Sequence, residues 1–231
     1  MQGPMILEFE GIAGCGKSTL CATLRETLSP DGIRVIWLTE KPTSSYFAGL
    51  GKKLSVPVRL LKTFSLPALC HALRFLLSSG RFRQYKLAAE LYRTEAVYRH
   101  FLRRGGPSDL LVCDQSLVQT LVSVWGYDRE TVLTEREKSA AAQFLKTAPE
   151  TKHFLCLLPL EEHVRRIRRR GKKRARLESI EDDAVLLEKL GNNEKTLAQI
   201  VAVQERVRGP EIRLDMLASP EALAAEVMKV L

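Results

Sequence analysis

The chain has 231 residues, 45% of them hydrophobic, enough for one α/β domain with a full core or at most two small domains. No uncharged apolar run reaches the ~18 residues of a membrane-spanning helix, which excludes an integral membrane protein of that kind. The net charge is +9, but the excess is local: nine Lys and Arg and no acid lie between Val164 and Arg176, leaving 27 of the 36 basic residues against 27 Asp and Glu elsewhere. A general nucleic-acid binder spreads its charge over a face, so this concentration argues against one and suits a local anion site. The five cysteines, Cys15, Cys21, Cys70, Cys113 and Cys156, form no C-x-x-C pair and sit mostly in apolar segments. They read as reduced thiols of a cytoplasmic protein, and the N-terminus shows no basic leader with an apolar stretch behind it. The four histidines are scattered singly, which argues against a zinc site.

In chain order, Met5 to Phe9 (MILEF) predicts a first strand. Gly11-Ile12-Ala13-Gly14-Cys15-Gly16-Lys17-Ser18-Thr19 follows it and fits G-x-x-x-x-G-K-[ST], the phosphate-binding loop. Apolar residues at helical spacing from Thr19 to Leu28 complete the strand, glycine loop, helix order that the motif requires. Backbone N–H groups of such a loop point at phosphate oxygens, and the helix adds its positive end. Lys17 is expected to reach the β- and γ-phosphates of a nucleoside triphosphate and Ser18 to bind Mg²⁺.

Ser29-Pro30-Asp31-Gly32 predicts a turn, and Arg34 to Thr39 a second strand. The strand ends in the polar loop Glu40 to Ser45, at the edge where parallel sheets hold ligands. The apolar stretch from Val56 to Phe82 is broken by Pro57 and Pro67 and predicts one or two short core-facing helices after Pro67; a membrane-surface helix is the alternative. Tyr85 to Arg104 predicts a long amphipathic helix, Asp109 to Cys113 a buried third strand, and Leu117 to Trp125 a helix. A further helix runs from Thr134, its expected cap, to Lys146. Lys152 to Leu158 predicts the fourth strand, and Pro159 and Leu160 open the helix that carries the basic segment. Ser179 to Arg208 contains another helix, with a break expected near Gly191; Glu211 to Asp215 is the fifth strand, and Ser219-Pro220 starts the last helix. The alternation specifies a single α/β domain over residues 1–231, a parallel sheet with helices on both faces.

A phosphate loop alone says only that a nucleoside triphosphate is bound. No N-K-x-D base-reading motif of a GTPase occurs, nor the L-S-G-G-Q signature of a transporter ATPase. What remains is a chain with an arginine-rich segment late in its length, which is what phosphoryl transfer requires, because guanidinium groups stabilise the charge spread over the transferred group.

Phe9-Glu10-Gly11, Thr39-Glu40-Lys41-Pro42, Asp114-Gln115-Ser116 and Leu158-Pro159 before the basic helix resemble, in order, the F-E-G, T-R-E-P, Asp-Arg and lid elements of the thymidylate kinase and deoxynucleoside kinase branch of the P-loop kinases. The resemblance spans the chain in order of elements, and only the phosphate loop matches closely. It implies a three-layer P-loop fold of five parallel strands with an Arg-rich lid at about 164–180. It further implies ATP with Mg²⁺ as donor and a nucleoside or nucleoside monophosphate as the small-molecule phosphoryl acceptor; from the family alone, it points to a homodimer. Gly11, Ala13, Gly14, Cys15, Gly16, Lys17, Ser18 and Thr19 would hold the phosphates, joined by Arg166. Ser18 and Asp114 would hold Mg²⁺. Asp114 or Glu40 would be the base, with helix capping the bland role for Asp114. Arg170 and Arg174 would clamp the transferred group, and Arg166, Arg170 and Arg174, four apart, would line one helix face. Glu40, Arg93 and Gln115 would face the acceptor, and Tyr46, Phe47, Tyr92 or Trp125 could stack on it. The departures fall on the acceptor side: Ala13 where the family's thymidylate kinases carry Asp, Gln115 for Arg, and Glu40-Lys41 for Arg-Glu. They make thymidine monophosphate doubtful and keep two other readings open: a kinase of a non-nucleotide metabolite, and an ATP-binding regulatory or nucleic-acid-associated protein without kinase activity.

Overall fold

The computed structural model describes residues 3–38, 65–79, 85–125, 132–170, 177 and 179–231. Five strands form one parallel sheet: β1 (Met5–Glu10), β2 (Arg34–Trp37), β3 (Asp109–Cys113), β4 (Lys152–Leu157) and β5 (Ile212–Asp215), in the order β2-β3-β1-β4-β5. The helices are α1 (Lys17–Leu28), α2 (Leu66–Ser79), α3 (Tyr85–Arg104), α4 (Leu117–Trp125), α5 (Glu135–Thr147), α6 (Leu160–Arg169), α7 (Asp183–Arg208) and α8 (Pro220–Met228).

The period-two alternation of the strands sorts the core into two halves. Leu7 and Phe9 of β1, Leu110 and Val112 of β3 and Phe154 and Cys156 of β4 pack on Leu20, Cys21 and Leu24 of α1 and on Leu223, Ala224 and Val227 of α8. Phe9 and Phe154, in register on neighbouring strands, stack with ring centroids 5.1 Å apart. The opposite face, with Ile6, Leu111, Cys113 and Leu155, is covered by α3, α4, α5 and α7. The result is a three-layer α/β fold with β1 at its centre, so the loop after β1 opens at the middle of the sheet's C-terminal edge.

Local chemistry fixes several helix ends. Thr134 and Glu137 form a reciprocal capping box on α5, and Ser219 accepts from Ala222 N–H at 3.2 Å with Pro220 as the first residue of α8. Three expectations need correction. α7 runs unbroken through Gly191, because one glycine costs about 1 kcal/mol while burial of Leu186, Leu190, Leu197 and Ile200 on either side holds the helix together. Strand β2 ends at Trp37 rather than Thr39. α6 ends at Arg169 with Arg170 as its C-cap, so Arg170 stands at the end of the helix that carries Arg166 rather than within it. Among the described residues of the stretch around Pro67, Leu66–Ser79 form one helix, whose Ala68, Ala72 and Phe75 face the core while Leu73 and Leu77 are exposed. Glu40, Tyr46, Phe47 and Arg174, with the rest of lid residues 171–176 and 178, lie outside the described residues.

Candidate active site

The chain leaves β1 at Glu10 and turns through Gly11 to Gly16 into α1. Two glycines here are steric necessities. A Cβ on Gly11 (φ 153°) would lie 2.9 Å from Cys156 O of the neighbouring strand, and one on Gly14 (φ 90°) 3.1 Å from Ile167 Cγ1 of α6. The loop therefore lies directly against β4 and α6. The first turn of α1 carries no acidic residue and no side-chain cap, which leaves its N–H groups and positive end to an anion.

Lys17 is 8% exposed. Its ammonium donates to Gly11 O at 2.5 Å and Ile12 O at 3.2 Å and lies 3.4 Å from Cys15 Sγ. Burial works against its charge, but the Cys15 and Cys156 sulfurs and the Asp114 carboxylate outweigh burial and hold its pKa above the ordinary lysine range. Ser18 Oγ donates to Asp114 Oδ2 at 2.7 Å. The fold thus joins two residues 96 positions apart that the sequence assigns to one metal. The capping role considered for Asp114 belongs instead to Ser116, whose Oγ accepts from Gln119 N–H at 2.9 Å. Gln119 also reaches the loop, its Oε1 accepting from Gly11 N–H at 3.4 Å.

The loop is held from behind by α6. His163 Nδ1 donates to Ala13 O at 2.9 Å, and burial keeps its imidazole pKa below the usual range. The Arg166 guanidinium donates to Cys15 O and to Met216 O, both at 2.9 Å, and its Nε to Glu162 at 3.0 Å. Arg166 therefore ties the loop to the segment after β5. Arg168 turns away and fastens Ile180, Glu181 and Asp183 at the start of α7, while Arg165 pairs with Glu162. Of the remaining expected site residues, Arg170 is exposed at the end of α6 and Gln115 is exposed at the edge of β3. Arg93 pairs along its own helix with Glu90 at 3.3 Å, 62% exposed. Trp125 is core, 5.9 Å from the Phe75 ring. His163, Gln119 and Cys156 have no counterpart in the sequence reading. Only the His163–Ile167 spacing, i to i+4 on an amphipathic helix, hinted that His163 faces inward with the apolar residues.

Beneath the loop lies a buried polar platform that the isolated histidines gave no reason to expect. Glu8 faces His153 in register. Glu8 Oε1 accepts from Tyr98 OH at 2.5 Å and Leu117 N–H at 3.0 Å, and Oε2 from Thr151 at 2.8 Å. His153 Nδ1 lies 3.1 Å from Glu8 and 3.0 Å from Glu10, with Arg208 Nη1 3.1 Å from Nε2. Burial opposes the charge on Glu8, but His153, Tyr98, Arg208 and Leu117 N–H together lower its pKa. Burial, then the charge of Glu8, raises Glu10 to about 8, and burial, then Glu10, raises Glu211 to about 9. Burial also lowers His153. Glu8, Glu10 and His153 bring ligand atoms within 4.8 Å of one another, a spacing that suits a metal ion. The arrangement nevertheless balances its own charge: an ionised Glu8 beside Arg208 and His153, and protons on the other two carboxyls. Ser18 and Asp114 bring two further oxygen donors together at the start of α1.

No family model matches the sequence, and no curated protein is found similar to it. Among solved structures, the fold is similar to that of deoxyadenosine kinase from M. mycoides with products dCMP and a flexible dCDP bound, at TM-score 0.53 and 15% identity over 98% of each chain. A second structure of deoxyadenosine kinase from M. mycoides, with bound dCTP, matches at TM-score 0.51 and 15% identity, again over 98% of each chain. The three-layer fold with its parallel sheet is thus one that this chain shares with the two deoxyadenosine kinase structures.

Proposed function

We propose that the chain is a P-loop kinase that transfers the γ-phosphoryl group of ATP to a nucleoside or nucleoside monophosphate. The observation that carries the proposal is the 2.7 Å hydrogen bond between Ser18 and Asp114 beside the buried ammonium of Lys17, at the N-terminus of α1. A glycine turn without a ligand needs none of these three groups. Similarity of fold to a deoxyadenosine kinase over nearly the whole chain supports a nucleoside-type acceptor.

The loop N–H groups from Gly14 to Thr19 would cradle the phosphates. Lys17 would exchange its loop carbonyls for phosphate oxygens, a shift its flexible stem permits. Ser18 and Asp114 would hold Mg²⁺, whose chemistry is to neutralise charge on the β- and γ-phosphates. Arg166 keeps the loop in shape from outside through Cys15 O, a positioning role. Arg170, exposed at the end of α6, would reach the transferred group, and Arg174 would join it. Asp114 or Glu40 would orient the acceptor oxygen, and Arg93 and Gln115 would line its side. Rate then comes from positioning and from charge stabilisation in a site closed to water. A cytoplasmic homodimer completes the proposal. Among the described residues no helix is long and apolar enough to cross a membrane.

The test is acceptor-dependent ADP release across a panel of nucleosides, nucleoside monophosphates, sugars and amino alcohols, with Lys17→Ala as control. Release on one or more nucleosides, lost in Lys17→Ala, is expected. Turnover confined to non-nucleosides would overturn the acceptor class, and ATP binding without any acceptor would overturn the kinase reading.

A further inference from the structure

The phosphate-transfer reading leaves unused a pair of thiols beneath the loop. Cys15 stands between Gly14 and Gly16, and Cys156 lies in β4 one register step beyond the Glu10–Leu155 pair, beside Gly11. They are 0% and 3% exposed. Cys15 Sγ and Cys156 Cβ lie 3.0 and 3.1 Å from the point where a Gly11 Cβ would stand, so the two side chains meet in the space that this glycine leaves. The neighbouring Cys156 thiol lowers the pKa of Cys15 although burial works against its charge, and the Lys17 ammonium lies 3.4 Å from the Cys15 sulfur. A hydrogen bond from a neighbouring thiol and an adjacent ammonium both favour the thiolate at Cys15, while Cys156 keeps its proton. Few arrangements give one cysteine an attacking thiolate, a fixed cation and a resolving thiol together.

We propose that Cys15 and Cys156 form a reversible disulfide that disables the phosphate loop under oxidation. With a hydroperoxide as oxidant, the Cys15 thiolate attacks the terminal peroxide oxygen and the O–O bond breaks. The leaving oxygen takes a proton and departs as water or alcohol, and Cys15 becomes a sulfenic acid. The Cys156 sulfur, giving up its proton, then attacks the Cys15 sulfur. The S–O bond breaks, the S–S bond forms, and a water leaves. Two thiols and one peroxide thus become one disulfide, with the peroxide carrying away both electrons and both hydrogens. A dithiol reverses the step by exchange.

The consequence follows from position and rests on the phosphate-loop reading. A bridge to β4 ties the centre of the loop to the sheet and neutralises the sulfur that faces Lys17. Both thiols are buried, so oxidation proceeds through local opening of the loop, and a nucleotide that holds the loop closed slows it.

The experiment uses the full chain with the exposed Cys70 changed to Ser, to remove its own reaction. Hydrogen peroxide is applied with and without ATP, remaining thiols are alkylated, and peptides are mapped by mass spectrometry alongside ATP affinity. A Cys15–Cys156 linked pair, slowed by ATP, a tenfold or greater loss of ATP affinity, and recovery with dithiothreitol are expected. Cys156→Ser, with Cys156→Ala as a second variant, retains basal ATP affinity and shows no dithiothreitol-reversible loss. A Cys15–Cys21 link, untouched Cys15 while free peroxide persists, or a reversible loss unchanged in the Cys156 variants would overturn the proposal. Bridge formation in a protein that binds no ATP when reduced would count for the thiol pair and against the phosphate-loop reading.

Discussion

Replacing Glu10 by Gln tests the buried platform under the loop. Glu10 is fully buried beside Glu8, Glu211, Gln204, His153 and Arg208, and its pKa is raised to about 8. The unfolded chain ionises this carboxyl near its ordinary value of 4.5. Between these two values the folded state holds a proton that the unfolded state has released. Stability from this group is therefore full below pH 4.5 and is lost as pH rises through about 8. The loss runs at about 1.4 kcal/mol per pH unit and reaches at most ~5 kcal/mol over the window, with coupling to Glu211 reducing it. Glutamine keeps the shape of the protonated acid and cannot ionise. Glu10→Gln is expected to match the parent near pH 5 and to be more stable by roughly 2–4 kcal/mol at pH 8.5, the coupled share of that window. Urea unfolding from pH 5 to 9 measures this, and the difference between the two proteins cancels the other titrating groups. Parallel curves would refute the reasoning. So would a Gln variant already several kcal/mol weaker at pH 5, since that would mean an ionised Glu10 held by His153.

The remaining predictions concern the loop and its supports. Asp114→Asn leaves a neutral partner for Ser18 and removes a cation ligand; acceptor-dependent ADP release should fall at least ~100-fold and require more Mg²⁺, with unchanged Mg²⁺ dependence as the contrary result. Arg166→Ala unties Cys15 O and Met216 O; a loss of about 1.5–3 kcal/mol in urea unfolding and a raised KM for ATP at near-constant kcat are expected. Thr134→Ala breaks the capping box of α5 and should cost about 1 kcal/mol in thermal unfolding with no effect on nucleotide affinity, because α5 makes no contact with the loop among the hydrogen bonds of the described residues.

The fold was legible where structure follows from neighbouring residues. All five strands lie within two residues of the sequence reading, and the bounds of α3 and α4 coincide with it, because apolar periodicity and caps such as Ser219 act over a few positions. Gly191 misled for the same reason: propensity is local, whereas the packing of Leu186, Leu190 and Ile200 that overrides it is not. Strand order escapes local reasoning altogether. Nothing near Asp109 in the chain announces that β3 lies between β1 and β2.

The candidate site divides along the same line. Gly11 to Thr19 are contiguous, and their spacing encodes the glycine turn proposed to face a phosphate. What fixes that surface comes from His163, Arg166 and Gln119, which lie 108 to 151 positions from their loop partners, so no motif spacing records them. Asp114 and Ser116 show how close the two cases are. Two residues apart after one strand, either could cap α4 by its chemistry, and the sequence leaves the choice open. The fold resolves it, since Asp114 directly follows β3 beside the strand that leads into Ser18 while Ser116 sits one residue before the helix. A phosphate loop held on three sides by residues of other elements responds to changes outside its motif. On this account, mutating Arg166 or bridging Cys156 alters nucleotide binding through the loop's carbonyls and sulfur, without touching a residue of the motif's Gly-Lys-Ser core.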